Sequence, residues 1–313
     1  MKVKMYLFKK QFILQVFVLL GIAYLFVFNI MPMFGLMMAF NNYKITDGII
    51  GIFTSQFVGL KHFRDFVSDF WFWPLVRNTA VLSFGKIIFT FPVPIIFALM
   101  LNEVRNGKIK KAVQTVSYLP NFISWIIVVQ FIMVFFTSDT QTGVINRLLV
   151  ESGLISKPIS FLTNSDAFLP MAIISAVWKE MGWWSIIFLA AIAGIDVELY
   201  EAAEIDGATR MGKIFYITLQ GIRPVITTVL ILSLGNVFGG GLGGSNFEQS
   251  FLLGNPMNLD RSQIIQTYVF KIGFSEGRYA FATAVGLIQS LISLSLVLGS
   301  NWIAGRVSDS SLF

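Results

Sequence analysis

Lys179 and Glu180 stand side by side in an otherwise apolar stretch, with Trp178, Trp183 and Trp184 around them. An ionisable side chain inside a membrane span is costly, so it faces a pathway or a partner. Positions four apart share a helix face, which puts Lys179 near Trp183 and Glu180 near Trp184. Aromatic rings stack on the C–H faces of sugar rings while charged groups take hydroxyls, so this cluster suits a saccharide. It suits equally a lock between helices, through Lys86 or through a neighbouring subunit, and the two roles are compatible. Trp183 and Trp184 also suit packing or an interfacial anchor. Lys86 lies just inside its own apolar run and suits snorkelling or a structural pair.

A second cluster follows at Ile195 to Pro224, IDVELYEAAEIDGATRMGKIFYITLQGIRP. Asp196 is placed to cap a helix. Glu201, Ala202 and Ala203 follow on that helix, and Gly207 allows a turn or a close approach. Two alanines strip bulk from one face, so another protein surface can come close. Glu198, Glu201, Glu204 and Asp206 offer carboxylates to Arg or Lys. The plainer alternative is an amphipathic surface helix that only links its neighbours.

Other chemistries are excluded by what is missing. There is no Cys and one His, His62, a surface loop residue by its setting. Thiolate chemistry and a His-built metal site are therefore out, and no catalytic residue is assigned. The Gly-Lys pairs at Lys86, Lys108 and Lys213 are each followed by Ile. A phosphate-binding loop of the G-x-x-x-x-G-K-[ST] type needs Ser or Thr there, so this chain does not hydrolyse ATP. The run Gly239 to Gly244, GGGLGG, follows no strand and is expected as a loop at the outer end of a span. A flexible gate or a discontinuous helix end are its alternatives.

The elements that position these residues are membrane helices. Of 313 residues, 55% are hydrophobic and only 13% charged, with 32 Phe and a mean hydropathy of +0.73. Soluble globular domains carry about 25% charge. Disorder needs low hydrophobicity and is excluded as well. Uncharged or nearly uncharged runs mark six spans, at about 12–37, 78–102, 114–137, 167–195, 224–240 and 279–303. The first is retained as a span, since it exceeds the about 7–15 apolar residues of a signal peptide and no A-x-A site follows. Strands are not expected, because the runs are too long and continuous for barrel strands.

Orientation follows from Lys and Arg near the span ends. Lys2, Lys4, Lys9 and Lys10 precede the first span, and Arg105, Lys108, Lys110 and Lys111 follow the second. Arg210, Lys213 and Arg223 follow the fourth, and Arg306 follows the sixth. All fall on one side, which the positive-inside rule makes cytoplasmic. The expectation is an all-α integral membrane protein of six transmembrane helices, N-in/C-in, forming one domain over residues 1–313. MKVKMYLFKK is expected to anchor at the anionic inner leaflet, and 196–223 is a cytoplasmic loop.

That loop resembles the EAA loop of permease subunits in binding-protein-dependent ABC importers. Glu201-Ala202-Ala203 is followed at the family spacing by Gly207 and then by Ile217-Thr218-Leu219, with Gln220 where the family usually has Pro. Pro224 can begin the next helix instead. The stretches FVGLKHFRDF (Phe57 to Phe66), FWPLVRNTAVLSFGK and ALMLNEVRNGKIKKAVQTVSYLPNFIS carry the resemblance across the chain. So do WKEMGWWSIIFLAAIAGID and YAFATAVGLIQSLISLSLVLGSNWIAGR. They are similar to the branch that imports oligosaccharides and polysaccharide fragments with a lipoprotein receptor.

The resemblance implies a type I ABC importer permease fold in a bacterial cell membrane. It implies that the EAA helix docks into a cytoplasmic ATPase subunit. Glu201 then holds basic or backbone donors, Ala202 and Ala203 permit the close fit, Asp206 flanks it and Gly207 makes the turn. ATP and Mg belong to two partner ATPases; this chain holds no cofactor and no metal. Other implied partners are a second, non-identical permease, an extracytoplasmic solute-binding lipoprotein, a glycan substrate and membrane lipid, with no nucleic acid. Lys179, Glu180 and Trp183 fall on or near the sugar-site positions of the maltose-type permease, with Ser233 and Asn236 opposite on the fifth span. Lys179 suits a carboxylate-bearing glycan, and a neutral oligosaccharide stays open. The alternative is a self-contained secondary transporter or channel, which needs internal repeats and ion-coupling acids. No repeat is evident, and Glu180 is the lone intramembrane acid. An integral membrane enzyme needs a cluster of His, Asp, Glu or Ser at a span end.

Overall fold

The structure, a computed structural model, describes residues 12–139 and 143–307. The basic stretch MKVKMYLFKK lies outside the described residues. Regular structure among the described residues is helical, apart from an isolated antiparallel bridge between Asn41 and Phe57. Helices satisfy every backbone group within one segment, which the bilayer core demands.

Four helices are long and apolar enough to cross a membrane: α1 (Phe12–Phe40), α3 (Phe72–Asn102), α7 (Ser165–Ala193) and α13 (Tyr279–Ile303). Two bent pairs bring the number to six if each is one span. These are Gly107–Phe122 with Trp125–Phe136, bent by 99°, and Arg210–Gly221 with Arg223–Gly235, bent by 60°. Between the spans lie α2 (Lys61–Val67), α6 (Val144–Glu151), α8 (Val197–Ile205), α11 (Asn246–Leu253) and α12 (Ile265–Phe270). The first bent pair gives α4 (Gly107–Tyr118) and α5 (Trp125–Phe136), and the second α9 (Arg210–Gly221) and α10 (Arg223–Gly235).

Each bend has a local cause. After α4 comes a 3-10 turn, Leu119–Phe122, holding Pro120. Ile123 and Ser124 are then extended, and the Ser124 side chain accepts from the Ile127 N–H (3.4 Å) to start α5. Hydropathy runs smoothly through 114–137, but a proline followed by a capping serine restarts the helix. In the second pair Pro224 occupies the opening turn of α10, where its missing N–H costs nothing. Gly221 there lies against Ile195: a Cβ on it would come 2.7 Å from the Ile195 side chain.

The backbone separates into two compact units. One reaches Asp69 and includes Val269–Ile288; in it Phe66 packs edge-on against Phe281. The other takes in Phe70–Tyr268 and continues from Gln289. Its axis is α7. Near one end Phe168 and Ala172 join Leu82, Val128, Val129, Ile132, Leu253 and Ile264 in an apolar cluster. Near the other end Phe188 and Ile192 join Ile95, Ala98, Ile222 and Val229 in a second. Between the two clusters α7 presents buried Lys179, Glu180, Gly182 and Ser185. A polar layer is thereby sealed between two apolar ones.

Candidate functional site

The acidic loop forms a discrete helix. The Asp196 side chain accepts from the Glu198 N–H (3.0 Å) and caps α8. At the other end the N–H groups of Asp206, Gly207 and Ala208 close back onto the carbonyls of Ala202, Glu204 and Ala203. Gly207 sits at φ +76°, the left-handed conformation that ends helices, and nothing crowds its Cβ position. Glu201 and Ala202 are exposed, Ala203 is half-buried, and Asp206 and Gly207 are exposed. Val197, Leu199 and Ile205 are exposed beside the carboxylates, Ile205 at 88%. Two contacts hold α8 to the following helix: Lys213 Nζ to Glu204 Oε2 (3.3 Å), and the Tyr200 hydroxyl against Thr218 Oγ1 (2.9 Å). The surface is acidic and partly apolar, anchored from behind, and open to another protein.

The polar layer divides the adjacent pair. Lys179 donates to the Asn121 carbonyl (2.7 Å) and lies over the Trp125 ring at 5.6 Å. It thus ties α7 to the bend between α4 and α5, where a carbonyl has lost its helical partner. Trp183 meets Phe122 edge-on at the same bend and is 40% exposed. Glu180 points elsewhere. Lys86, fully buried, donates to Ser245 Oγ (2.9 Å), and Ser245 Oγ lies 3.5 Å from Glu180 Oε1. Lys86 therefore does not snorkel: it forms a structural bridge from α3 through Ser245 to α7.

That bridge fixes the glycine run. Gly240, Gly241 and Gly244 have positive φ, and a Cβ on Gly243 would fall on the Glu180 carboxylate. The run packs against the middle of α7, at Glu180. The run lies in the segment that joins α10, which ends at Gly235, to α11, which starts at Asn246. Asn236 donates to the Gly241 carbonyl (2.9 Å), and Asn246 donates to Ser83 Oγ (3.0 Å) and the Phe238 carbonyl (3.1 Å). Ser233 is buried, with its hydroxyl beside Gly241. Glu180, Ser233 and Asn236 thus converge on the glycine segment, whereas Lys179 and Trp183 meet the α4–α5 bend.

Ser245, Asn246, Asn121 and Trp125 belong to these two arrangements and were not singled out from sequence. The one available signal was that a lone Lys and a lone Glu sit in separate apolar runs. No group of three or more potential His, Cys, Asp or Glu metal ligands occurs among the described residues.

The described residues form a helical protein with several candidate membrane spans, a buried polar layer and an exposed acidic helix, which places it in the class of multi-pass membrane proteins. The profile of the family described as "Binding-protein-dependent transport system inner membrane component" matches residues 91–309. LplB of Bacillus subtilis (strain 168) is 42% identical over 293 residues, 94% of this chain and 88% of that protein. The polygalacturonan/rhamnogalacturonan transport system permease protein YteP of the same organism is 40% identical over 304 residues, 97% of this chain and 91% of that protein. A chain in the crystal structure of a bacterial ABC transporter involved in the import of the acidic polysaccharide alginate matches with a TM-score of 0.86 at 36% identity. It covers 96% of this chain and 98% of its own. A second structure of an alginate transporter, in complex with an alginate pentasaccharide-bound periplasmic protein, matches at 0.85.

The chain therefore belongs to the binding-protein-dependent inner-membrane permease family. It is a non-catalytic membrane subunit of an ABC importer, located in the bacterial inner membrane.

Proposed function

We propose that the chain forms half of the translocation pathway for an oligosaccharide or polysaccharide fragment that carries carboxylates. The observation that carries this reading is near full-length similarity, at 40% and 36% identity, to a polygalacturonan permease and an alginate importer chain. Both names describe uronate-type glycans. In the proposed arrangement the six spans run N-in/C-in as one permease domain, beside a second, non-identical permease. Two cytoplasmic ATPases bind ATP and Mg, and an extracytoplasmic lipoprotein delivers the glycan. Residues Glu201, Ala202, Ala203, Asp206 and Gly207 couple the chain to an ATPase; the exposed, capped α8 supports that role. Lys179 and Trp183 line the pathway, and Glu180, Ser233 and Asn236 shape it through the glycine segment.

The test is ATP hydrolysis by the assembled transporter in vesicles with its binding protein. Galacturonate oligomers are expected to stimulate it, and neutral oligomers of equal length to leave it at the basal rate. Stimulation by the neutral oligomers alone would reject the acidic-glycan reading.

A further inference from the structure

Outside both sites, a groove of about 750 Å³ opens at the start of α3. Its rim is aromatic: Phe70 is 84% exposed and Trp73 74%. Trp73, Val76, Arg77 and Ala80 follow the i, i+3, i+4, i+7 pattern of one helix face. The groove therefore descends along the span for about 10 Å from its end. Nearly all of its wall is hydrocarbon, and Arg77 supplies the cation. The Arg77 guanidinium donates to the Asn78 side-chain oxygen (3.3 Å) and the Asp260 backbone carbonyl (3.5 Å). It pairs with no carboxylate among the described residues, because the Asp260 carboxylate faces Ser165 and Arg261 instead. An exposed arginine at a span end, unpaired and above an apolar channel, matches a ligand with an anionic head and a hydrocarbon tail.

We infer that this groove is a binding site for one anionic phospholipid, with its phosphate on Arg77 and its first acyl methylenes along Trp73, Val76 and Ala80. A sugar chain fits less well. Its hydroxyls need several polar partners, and this wall offers little beyond Arg77. A phosphate takes paired N–H donors from a guanidinium, and Trp favours the headgroup boundary. The inference does not depend on which glycan is carried.

The test uses the assembled transporter reconstituted in phosphatidylcholine vesicles. Dibrominated phosphatidylglycerol or dibrominated phosphatidylcholine is titrated in, and Trp fluorescence is read. Subtracting the Trp73→Phe transporter isolates the Trp73 signal from the other tryptophans. Brominated phosphatidylglycerol is expected to quench that signal at about fivefold lower mole fraction, as one basic residue at a membrane surface provides. Arg77→Gln should erase the preference and Arg77→Lys should keep most of it, with both variants still hydrolysing ATP. Equal quenching by the two lipids, or a preference that survives Arg77→Gln, overturns the site. So does absence of quenching by either lipid, which would mean that protein covers the groove. A Trp73 signal that answers instead to soluble galacturonate oligomers would reassign the groove to glycan and overturn the lipid.

Discussion

Glu180 and Gly243 show how much one missing side chain can decide. The carboxylate occupies the volume that a Cβ at position 243 would need, and it is held there by Ser245 and, through it, Lys86. Removing one partner of a buried charged arrangement strands the other, at a cost of about 3–5 kcal/mol. Lys86→Met is therefore expected to lower the apparent melting temperature in detergent sharply. Adding Glu180→Gln in the same chain should recover much of the loss, because two neutral groups replace one orphaned charge. Gly243→Ala should destabilise by overpacking, about 1–3 kcal/mol, with both charges intact. A Lys86→Met protein as stable as the parent would remove the bridge. Both ionisable residues were legible in the sequence, since each interrupts an apolar run. A lock through Lys86 was among the sequence readings, but its route through Ser245 was not, because Ser245 lies 159 residues from Lys86 and has no local mark. The adjacent Lys179 and Glu180 read naturally as a pair, yet consecutive helical positions point in different directions, and they serve different parts of the layer.

At the scale of elements, helix ends were the most readable features. Asp196 caps α8 and Gly207 terminates it in the left-handed conformation, both as their residue types dictate. Pro224 opens the next helix in place of the missing proline at Gln220. The breaks inside apolar runs were less readable, because hydropathy is blind to hydrogen bonding. Pro120 and Ser124 carry the information for the α4–α5 bend, and the glycines carry it for the segment between α10 and α11. The proposed coupling role of α8 makes two distinct predictions. Glu201→Lys reverses a charge on an exposed surface without touching a buried contact. It should abolish uptake and the co-purification of the ATPase while leaving membrane insertion and melting temperature near the parent. Gly207→Val acts through the backbone instead. Its surroundings are open, so the cost is the left-handed conformation itself, about 1–2 kcal/mol. Helix α8 should then end differently and uptake should fall, with Gly207→Asn milder because Asn tolerates that conformation. Uptake at the parental rate in both Glu201→Lys and Gly207→Val would withdraw the coupling assignment.

Among the described residues, exposed large hydrophobic side chains outnumber the buried ones. The helix Phe12–Leu25 has no buried residue, and the apolar grooves beside α7 are lined by Pro170, Ile174 and Trp178. Lipid can cover such faces, but a pathway for a saccharide needs polar walls on every side. Among the described residues, Lys86 and Glu180 in the buried polar layer are occupied with each other through Ser245, and Lys179 with the Asn121 carbonyl. In the proposed arrangement the second permease supplies the opposing wall of the pathway. Energy must also come from elsewhere, since no phosphate-binding loop occurs in the sequence. The expected result in vesicles is stepwise. The purified chain alone, or with the ATPase alone, should carry no labelled galacturonate oligomer. The chain with both its partner permease and the ATPase, supplied with loaded binding protein outside and ATP inside, should accumulate it. Accumulation by the chain and ATPase without a second permease would show that two copies of this chain enclose the pathway, and the heterodimer would have to be abandoned.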